Sequence, residues 1–159
     1  MDILTKELVE EAIGMARPSI EAILKNDQCV WGPRYVVIAA TTHLDGSNKF
    51  WSVNLQEGSW DSNWPSEAHF ARLAVVKMNL ARQEGLTTGV IVTQKPWILT
   101  TGDCLYRGGV AEEPNSIAVG ASGLKAEADE GVAWIVFGFI TMLCHLRVRD
   151  LRAQERETL

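Results

Sequence analysis

The chain has 159 residues, 47% of them hydrophobic and 22% charged, and a net charge of −5. This length and composition are those of one globular domain with a sizeable core. The negative charge and the lack of a basic cluster argue against a nucleic-acid-binding protein. The acidic N-terminal segment does not resemble a signal peptide, and the longest charge-free run, residues 131–146, is too short to span a bilayer. We therefore expect a cytoplasmic protein without a membrane partner, and three cysteines without a CxxC spacing fit reduced thiols in that compartment.

A helix and a hairpin are predicted in the first part of the chain. Apolar residues at helical spacing predict a helix from residue 3 to about residue 26, with a kink or two abutting helices at Pro18. Strand-like runs at residues 35–42 and 49–55 lie on either side of an Asp-Gly dipeptide at residues 45–46, which is typical of a hairpin turn.

A second helix and a third strand are predicted next. A largely apolar helical pattern covers residues 66–84 and ends at Gly85, a residue type that commonly terminates helices. The short run of β-branched residues at 88–93 predicts a strand. After a break, residues 98–101 are expected to extend again.

A glycine-rich stretch, residues 107–129, is the segment around which the second half is organised. Two glycine-containing pairs, residues 108–109 and 122–123, enclose a hairpin turn at 112–115 and an apolar strand at 116–120. Glycine is used where φ is positive or where a ligand or second backbone comes close. The two pairs are therefore predicted to bind a ligand, although isolated glycines often form turns only.

The last helix is predicted over residues 126–154, with one continuous apolar seam. Gly131 and Gly138 lie one heptad apart on another stripe, where we expect a second helix or subunit to approach, since each glycine costs about 1 kcal/mol against alanine. The predicted order is α-β-β-α-β-β-β-α. It indicates a single α+β domain over residues 1–159, with an antiparallel sheet of about five strands flanked by N-terminal, central and C-terminal helices.

No strong catalytic motif is present, so the candidate site residues are individual side chains. His69, at the start of the second helix, is the best candidate, since one imidazole can ligate a haem iron or act as an acid or base. His43, at the end of the first strand, is a second candidate general base. A single histidine taken alone is more often an ordinary surface or core residue. The other candidate ligand-binding residues are Gly108, Gly109, Ser122, Gly123, Trp60, Trp64, Trp97, Tyr106 and Arg72.

Residues 108–129 also carry a family resemblance. A Gly-Gly pair, an apolar hairpin, the run SIAVGASGL and the run AEADEGVAW resemble the C-terminal half of the small haem-binding HbpS/GlcG proteins. The layout of the first half is similar as well. The turn at residues 112–115 and the segment 86–104 depart from the family pattern. The positions that carry the resemblance are Gly108, Gly109, Gly120, Ser122, Gly123 and Asp129.

The resemblance implies a profilin/PAS-like topology, homo-oligomeric assembly and, in some members, the binding or degradation of haem. Three hypotheses follow. The first is a haem- or tetrapyrrole-binding protein with His69 as the possible axial metal ligand. The second is a cofactor-free isomerase, lyase or cyclase that acts on a small organic metabolite, with His69 or His43 as general acid or base. The third is a structural oligomer without a ligand, held together through the Gly131/Gly138 helix face.

Overall fold

The computed structural model describes residues 2–55 and 63–158. The strands form one antiparallel sheet in the order β2-β1-β4-β3. The predicted α+β class, with N-terminal, central and C-terminal helices, is confirmed, and the sheet has four strands within the described residues. In chain order the elements are α1 (Lys6–Leu24), β1 (Tyr35–Thr41), β2 (Asn48–Asn54), α2 (Glu67–Glu84), α3 (Thr88–Gln94), a 3-10 turn (Pro96–Ile98), β3 (Gly109–Ala111), β4 (Ala118–Ser122) and α4 (Ala126–Thr158).

The first hairpin and the central helix lie where the sequence predicts them. β1 and β2 pair along their full length on either side of the turn at residues 45–46. α2 begins after Ser66, whose Oγ accepts a hydrogen bond from the backbone N–H of His69, and ends at Gly85 with a left-handed φ of 64°. α1 continues through Pro18 as one helix, not as two abutting helices.

The predicted third strand is wrong, because residues 88–93 lie in α3. The Oγ1 of the N-cap Thr87 accepts a hydrogen bond from the backbone N–H of Val90 at 3.1 Å. The buried Oγ1 of Thr88 accepts one from the backbone N–H of Gly109 at 3.0 Å. These contacts favour a capped helix over the strand preference of β-branched residues. Residues 98–101 contain the end of the 3-10 turn and form no strand.

Both faces of the sheet are buried at its central strands, β1 and β4. Val36 and Ile38 of β1 and Val119 of β4 belong to an aliphatic core shared with α1 and α4. On the opposite face, Val37 and Ala39 pack against α2. β1 is therefore buried along its whole length, which agrees with its apolar sequence.

α2 lies very close to the sheet at a pair of glycines. Gly109 of β3 pairs with Gly120 of β4. A Cβ at Gly109 would lie 2.3 Å from the backbone oxygen of Lys77, and a Cβ at Gly120 would lie 2.1 Å from that of Ala74. Real side chains do not make such contacts, so the close approach of the α2 backbone requires glycine at both positions.

α4 is the longest helix, and only part of its surface is covered. Val132 and Val136 are buried in the core, whereas Trp134, Met142 and Leu146 are exposed. α4 is long and apolar enough to cross a membrane, but the core helices of soluble proteins can be equally long and apolar. In its most apolar stretch, 28% of the residues are buried inside the domain. The expectation of no membrane partner stays a prediction.

Candidate functional site

A cavity of about 320 Å³ lies between α2, the end of β4 and the start of α4. Its walls are mainly aromatic and aliphatic, and Ser122 and Gly123 at the end of β4 contribute to it. Two charged side chains, Lys77 of α2 and Asp129 of α4, also line it. The aromatic residues of the wall are Trp31, Trp64, Phe70 and Tyr106.

Lys77 and Asp129 form a buried ion pair in the cavity wall. Their side chains are 2% and 4% exposed, and Lys77 Nζ lies 3.3 Å from Asp129 Oδ2. Nζ also donates a hydrogen bond to the backbone oxygen of Ala121 at 2.9 Å. Asp129 Oδ1 accepts one from the backbone N–H of Leu124 at 3.0 Å. The pair therefore connects α2, the end of β4 and the start of α4.

The local structure explains why a lysine can be buried at position 77. Lys77 lies on the buried stripe of α2 together with Ala74, Met78 and Ala81. Gly108 has a φ of 128°, and a Cβ there would lie 3.0 Å from Lys77 Nζ and 3.1 Å from the Asp129 Cβ. The glycine therefore leaves room for both charged side chains, and its positive φ is one that other residues rarely adopt.

Burial raises the pKa of Asp129 to about 7, although the nearby Lys77 ammonium and the backbone N–H groups of Leu124 and Gly123 act in the opposite direction. A carboxyl group with a pKa near neutrality can both accept and donate a proton at physiological pH. The ion pair can therefore hold or release a proton at the wall of a mostly apolar cavity.

The cavity brings together several of the residues predicted from the sequence. Trp64, Tyr106, Ser122 and Gly123 all line it. Gly108 packs beside the ion pair, as described above. Gly109 does not line the cavity. It lies beneath the α2 backbone, where the lack of a side chain lets the helix pack on the sheet.

The two predicted histidines do not line this cavity. The His69 ring meets the Phe70 ring edge-on, with 5.7 Å between the ring centroids, so it lies next to the cavity but not in its wall. His43 lines a separate depression of about 560 Å³ together with Asp45 and Cys144. In the described ranges, 2–55 and 63–158, no group of three or more His, Cys, Asp or Glu side chains could hold a metal ion.

Three further candidates lie away from the cavity or outside the described residues. Arg72 on α2 and Trp97 in the 3-10 turn are exposed and are not wall residues. Trp60 lies outside the residues that the structure describes. Their predicted roles in ligand binding stay predictions.

Sequence reasoning missed Lys77 and noted Asp129 only as part of the family resemblance. A detectable feature was present, because Lys77 is a charged residue on a helical stripe that is otherwise apolar. Its partner is 52 residues away in the chain, and no local pattern predicts a contact at that separation.

The fold has a counterpart among solved structures. The crystal structure of the Klebsiella pneumoniae protein ORFY, described by the family model DUF336, matches with a TM-score of 0.50 and 16% sequence identity, over 89% of this chain and 90% of that one. The chain has the DUF336 fold. It is the fold of the GlcG/HbpS-like family, so the resemblance seen in residues 108–129 is confirmed at the level of the fold.

Sequence comparison adds no closer relationship: no family model matches the chain, and no curated protein matches it significantly. An identity of 16% shows the fold alone. The function of this DUF336-fold chain therefore depends on the chemistry of its own cavity residues.

Proposed function

We propose that the chain binds a compact organic molecule in the cavity between α2 and α4 and transfers a proton to or from it. The observation that carries this proposal is the buried Lys77–Asp129 pair in an aromatic cavity wall. Burial of an ion pair has a desolvation cost, and well-packed apolar residues often stabilise a core equally well. Apolar walls with a few polar groups and a shifted pKa are typical of small-molecule sites.

The size and the walls of the cavity indicate the kind of ligand. A volume of about 320 Å³ is near the lower end of the range for such sites, roughly 300–1,000 Å³. Trp31 and Tyr106, each 66% exposed, line the cavity and are accessible for stacking on a planar molecule. A small aromatic or unsaturated metabolite therefore fits better than an extended or highly charged one.

Asp129 is the proposed acid or base, in place of either histidine. Asp129 lines the cavity, and its buried carboxyl group has a pKa raised to about 7. An ammonium group has three N–H donors, and within the described residues Lys77 uses two of them, on Ala121 and Asp129. The third can donate to a ligand oxygen and stabilise negative charge that develops there. This arrangement fits an isomerase, lyase or cyclase.

A cavity-filling variant tests whether this is the binding site. Ala126 lines the cavity at the start of α4, and Ala153 is exposed near the other end of the same helix. We expect benzyl alcohol, followed by saturation-transfer NMR, to bind the wild type and Ala153→Phe equally. Ala126→Phe should weaken binding by roughly tenfold or more. Equal binding by all three proteins would refute the assignment.

A second candidate function, haem or tetrapyrrole binding, is supported by the DUF336 fold and by the resemblance in residues 108–129. The described residues do not fit a haem ligated by His69 inside the cavity, because His69 is not in its wall. A hemin titration tests this candidate, with the exposed His145 as the matched control position. A stoichiometric Soret shift that is lost in His69→Ala but kept in His145→Ala would favour haem. Weak, non-saturating absorbance changes would favour the compact ligand.

We also propose that the chain self-associates through the α4 face that carries Gly131 and Gly138. A Cβ on either glycine would meet no atom within 4 Å, so the packing of the chain on itself does not require them. Trp134 lies between them in sequence and is exposed. In sedimentation velocity, Gly138→Leu should shift the protein towards the monomer, whereas Gly14→Leu, at an equally open position on α1, should not. An unchanged assembly in Gly138→Leu would refute this interface.

A further inference from the structure

We propose that Lys77 is a covalent catalyst, whose amino group forms a Schiff base with an aldehyde or ketone bound in the cavity while Asp129 carries the proton. This inference rests on the proposed function, because the carbonyl compound must first enter the cavity. Lys77 is the only primary amine among the described residues that line it. A lysine in a desolvated, largely apolar pocket is the usual setting for this nucleophile.

The position of Nζ is well defined before any ligand binds. It donates to the backbone oxygen of Ala121 at 2.9 Å, and the bare backbone of Gly108 lies close to it. The Lys77 side chain is 2% exposed, so a carbonyl compound reaches Nζ through the cavity and not directly from bulk solvent. Because the Lys77 amine and the bound carbonyl compound would both be held in place, their proximity favours the reaction between them.

The distances around Nζ describe a loose ion pair, in which Nζ lies closer to a backbone oxygen than to the Asp129 carboxylate. Charge-assisted N–H···O bonds are typically about 2.7–2.9 Å long, whereas Nζ lies 3.3 Å from Asp129 Oδ2 and closer, 2.9 Å, to the neutral oxygen of Ala121. The backbone oxygen, more than the carboxylate, therefore holds Nζ. Transfer of one proton from Nζ to Oδ2 leaves a neutral amine and a carboxylic acid, and the neutral amine is the nucleophile.

The chemical step balances without an external reagent. The Lys77 nitrogen attacks the carbonyl carbon, and the C=O electron pair moves to the oxygen, which takes the proton from Asp129. The nitrogen then returns a proton to Asp129, which gives a neutral carbinolamine. Asp129 passes that proton to the hydroxyl group, the C–O bond breaks and water leaves. The products are an iminium ion, a carboxylate and water, and nothing is oxidised or reduced.

The balance of charge in the cavity also favours formation of the iminium ion. The starting pair is an ammonium and a carboxylate, and the final pair is an iminium and a carboxylate. The net charge inside the cavity is therefore unchanged, so the reaction adds no new charge to a region that solvates charge poorly. The iminium ion would withdraw electrons from the neighbouring carbon, and Asp129 is close enough to remove or return a proton there.

Reductive trapping tests this inference on the intact wild-type protein. The protein is incubated at pH 7 with benzaldehyde and sodium cyanoborohydride, and benzylated lysines are located by peptide mass mapping. We expect Lys77 to be labelled faster than the exposed Lys95 by about tenfold or more. Benzyl alcohol should compete with the labelling, and Lys77→Arg should abolish it. Because Lys77 and Lys95 are compared within one wild-type chain, the test does not depend on whether the arginine variant folds.

The outcomes separate this inference from the proposed function. Labelling of Lys77 no faster than that of Lys95, with saturable benzyl alcohol binding that Ala126→Phe weakens, would refute the Schiff base and leave the binding site in place. No saturable binding together with slow labelling would refute both. Fast labelling of Lys77 that Ala126→Phe also slows would support both.

Discussion

The two faces of the sheet are packed in different ways. The face towards α1 and α4 buries branched aliphatic side chains, such as Val36, Ile38 and Val119. The face towards α2 is made largely of small residues, with Gly109 and Gly120 paired beneath the helix backbone. The first face gains stability from buried apolar area, whereas the second allows a helix to lie almost on the strands.

This difference explains where the charged pair is found. Large side chains at Gly109 and Gly120 would hold α2 away from the sheet. With glycine there, Lys77 Nζ reaches the backbone oxygen of Ala121 at 2.9 Å. At that point the end of β4 and the start of α4 supply Asp129 and the wall of the cavity. One face of the sheet therefore contributes mainly to stability, and the other also positions the candidate site.

The largest effect is expected when one charge of the pair is removed. Asp129→Leu leaves the Lys77 ammonium buried without its counter-charge, which should lower the free energy of unfolding by about 3–5 kcal/mol in urea denaturation. Lys77→Met should cost less, because the remaining carboxyl group can take up a proton. The double variant Lys77→Met/Asp129→Leu should recover much of the loss. A double variant as unstable as Asp129→Leu would mean that shape, not charge, dominates at this site.

A smaller effect is expected from a single methyl group on the α2 face. Gly120→Ala places a Cβ against the backbone oxygen of Ala74 and should lower the free energy of unfolding by about 2–3 kcal/mol. Val119→Ala, which removes methyl groups from the opposite face, should cost about 1–3 kcal/mol. Gly14→Ala, on the open surface of α1, should instead stabilise the protein by about 1 kcal/mol. If Gly120→Ala is as mild as Gly14→Ala in thermal unfolding, the close approach of α2 is refuted.

The smallest effect, counted per pH unit, is the pH dependence of stability that comes from Asp129. Its pKa is about 7 in the folded chain and near the ordinary 3.8 when unfolded. Between these two pH values the folded state keeps a proton that the unfolded state has lost. The stabilisation that comes from this proton is therefore full below about pH 4 and is lost as the pH rises through 7. The free energy of unfolding should fall by at most about 1.4 kcal/mol per pH unit from this group. Asp129→Asn lacks this titration, and parallel stability profiles of the variant and the wild type would contradict the shift.

Much of the fold could be predicted from local patterns. The Asp-Gly turn at residues 45–46, the apolar helical pattern over residues 66–84 and the terminating Gly85 located the first hairpin and α2 correctly. The prediction failed at α3, where a β-branched run suggested a strand. What decides its conformation is the Thr87 cap and the contact of Thr88 with Gly109. The second of these joins residues 21 positions apart, which the local pattern does not reveal.

The site could be predicted only in part, for a similar reason. The predicted positions Tyr106, Ser122 and Gly123 do lie at the end of the sheet where the cavity is found, because glycine pairs and loop aromatics are local features. The chemistry was assigned to His69 and His43, because histidine is the usual acid or base near neutral pH. In the structure it is instead a carboxyl group, that of Asp129, whose pKa is raised. Burial causes this rise and Lys77, 52 residues away in the chain, opposes it, so the sequence alone does not display it.

The position of α4 in the chain has a consequence for how the protein folds. α4 follows every other described element, yet it covers the aliphatic face of the sheet and brings Asp129 to Lys77. On the ribosome, the earlier segments would therefore wait with an uncovered hydrophobic surface and an unneutralised lysine until the last helix emerges. Folding of this domain should then be complete only after α4 has been synthesised, and until that point the nascent chain is expected to be a good client for chaperones that bind exposed apolar segments.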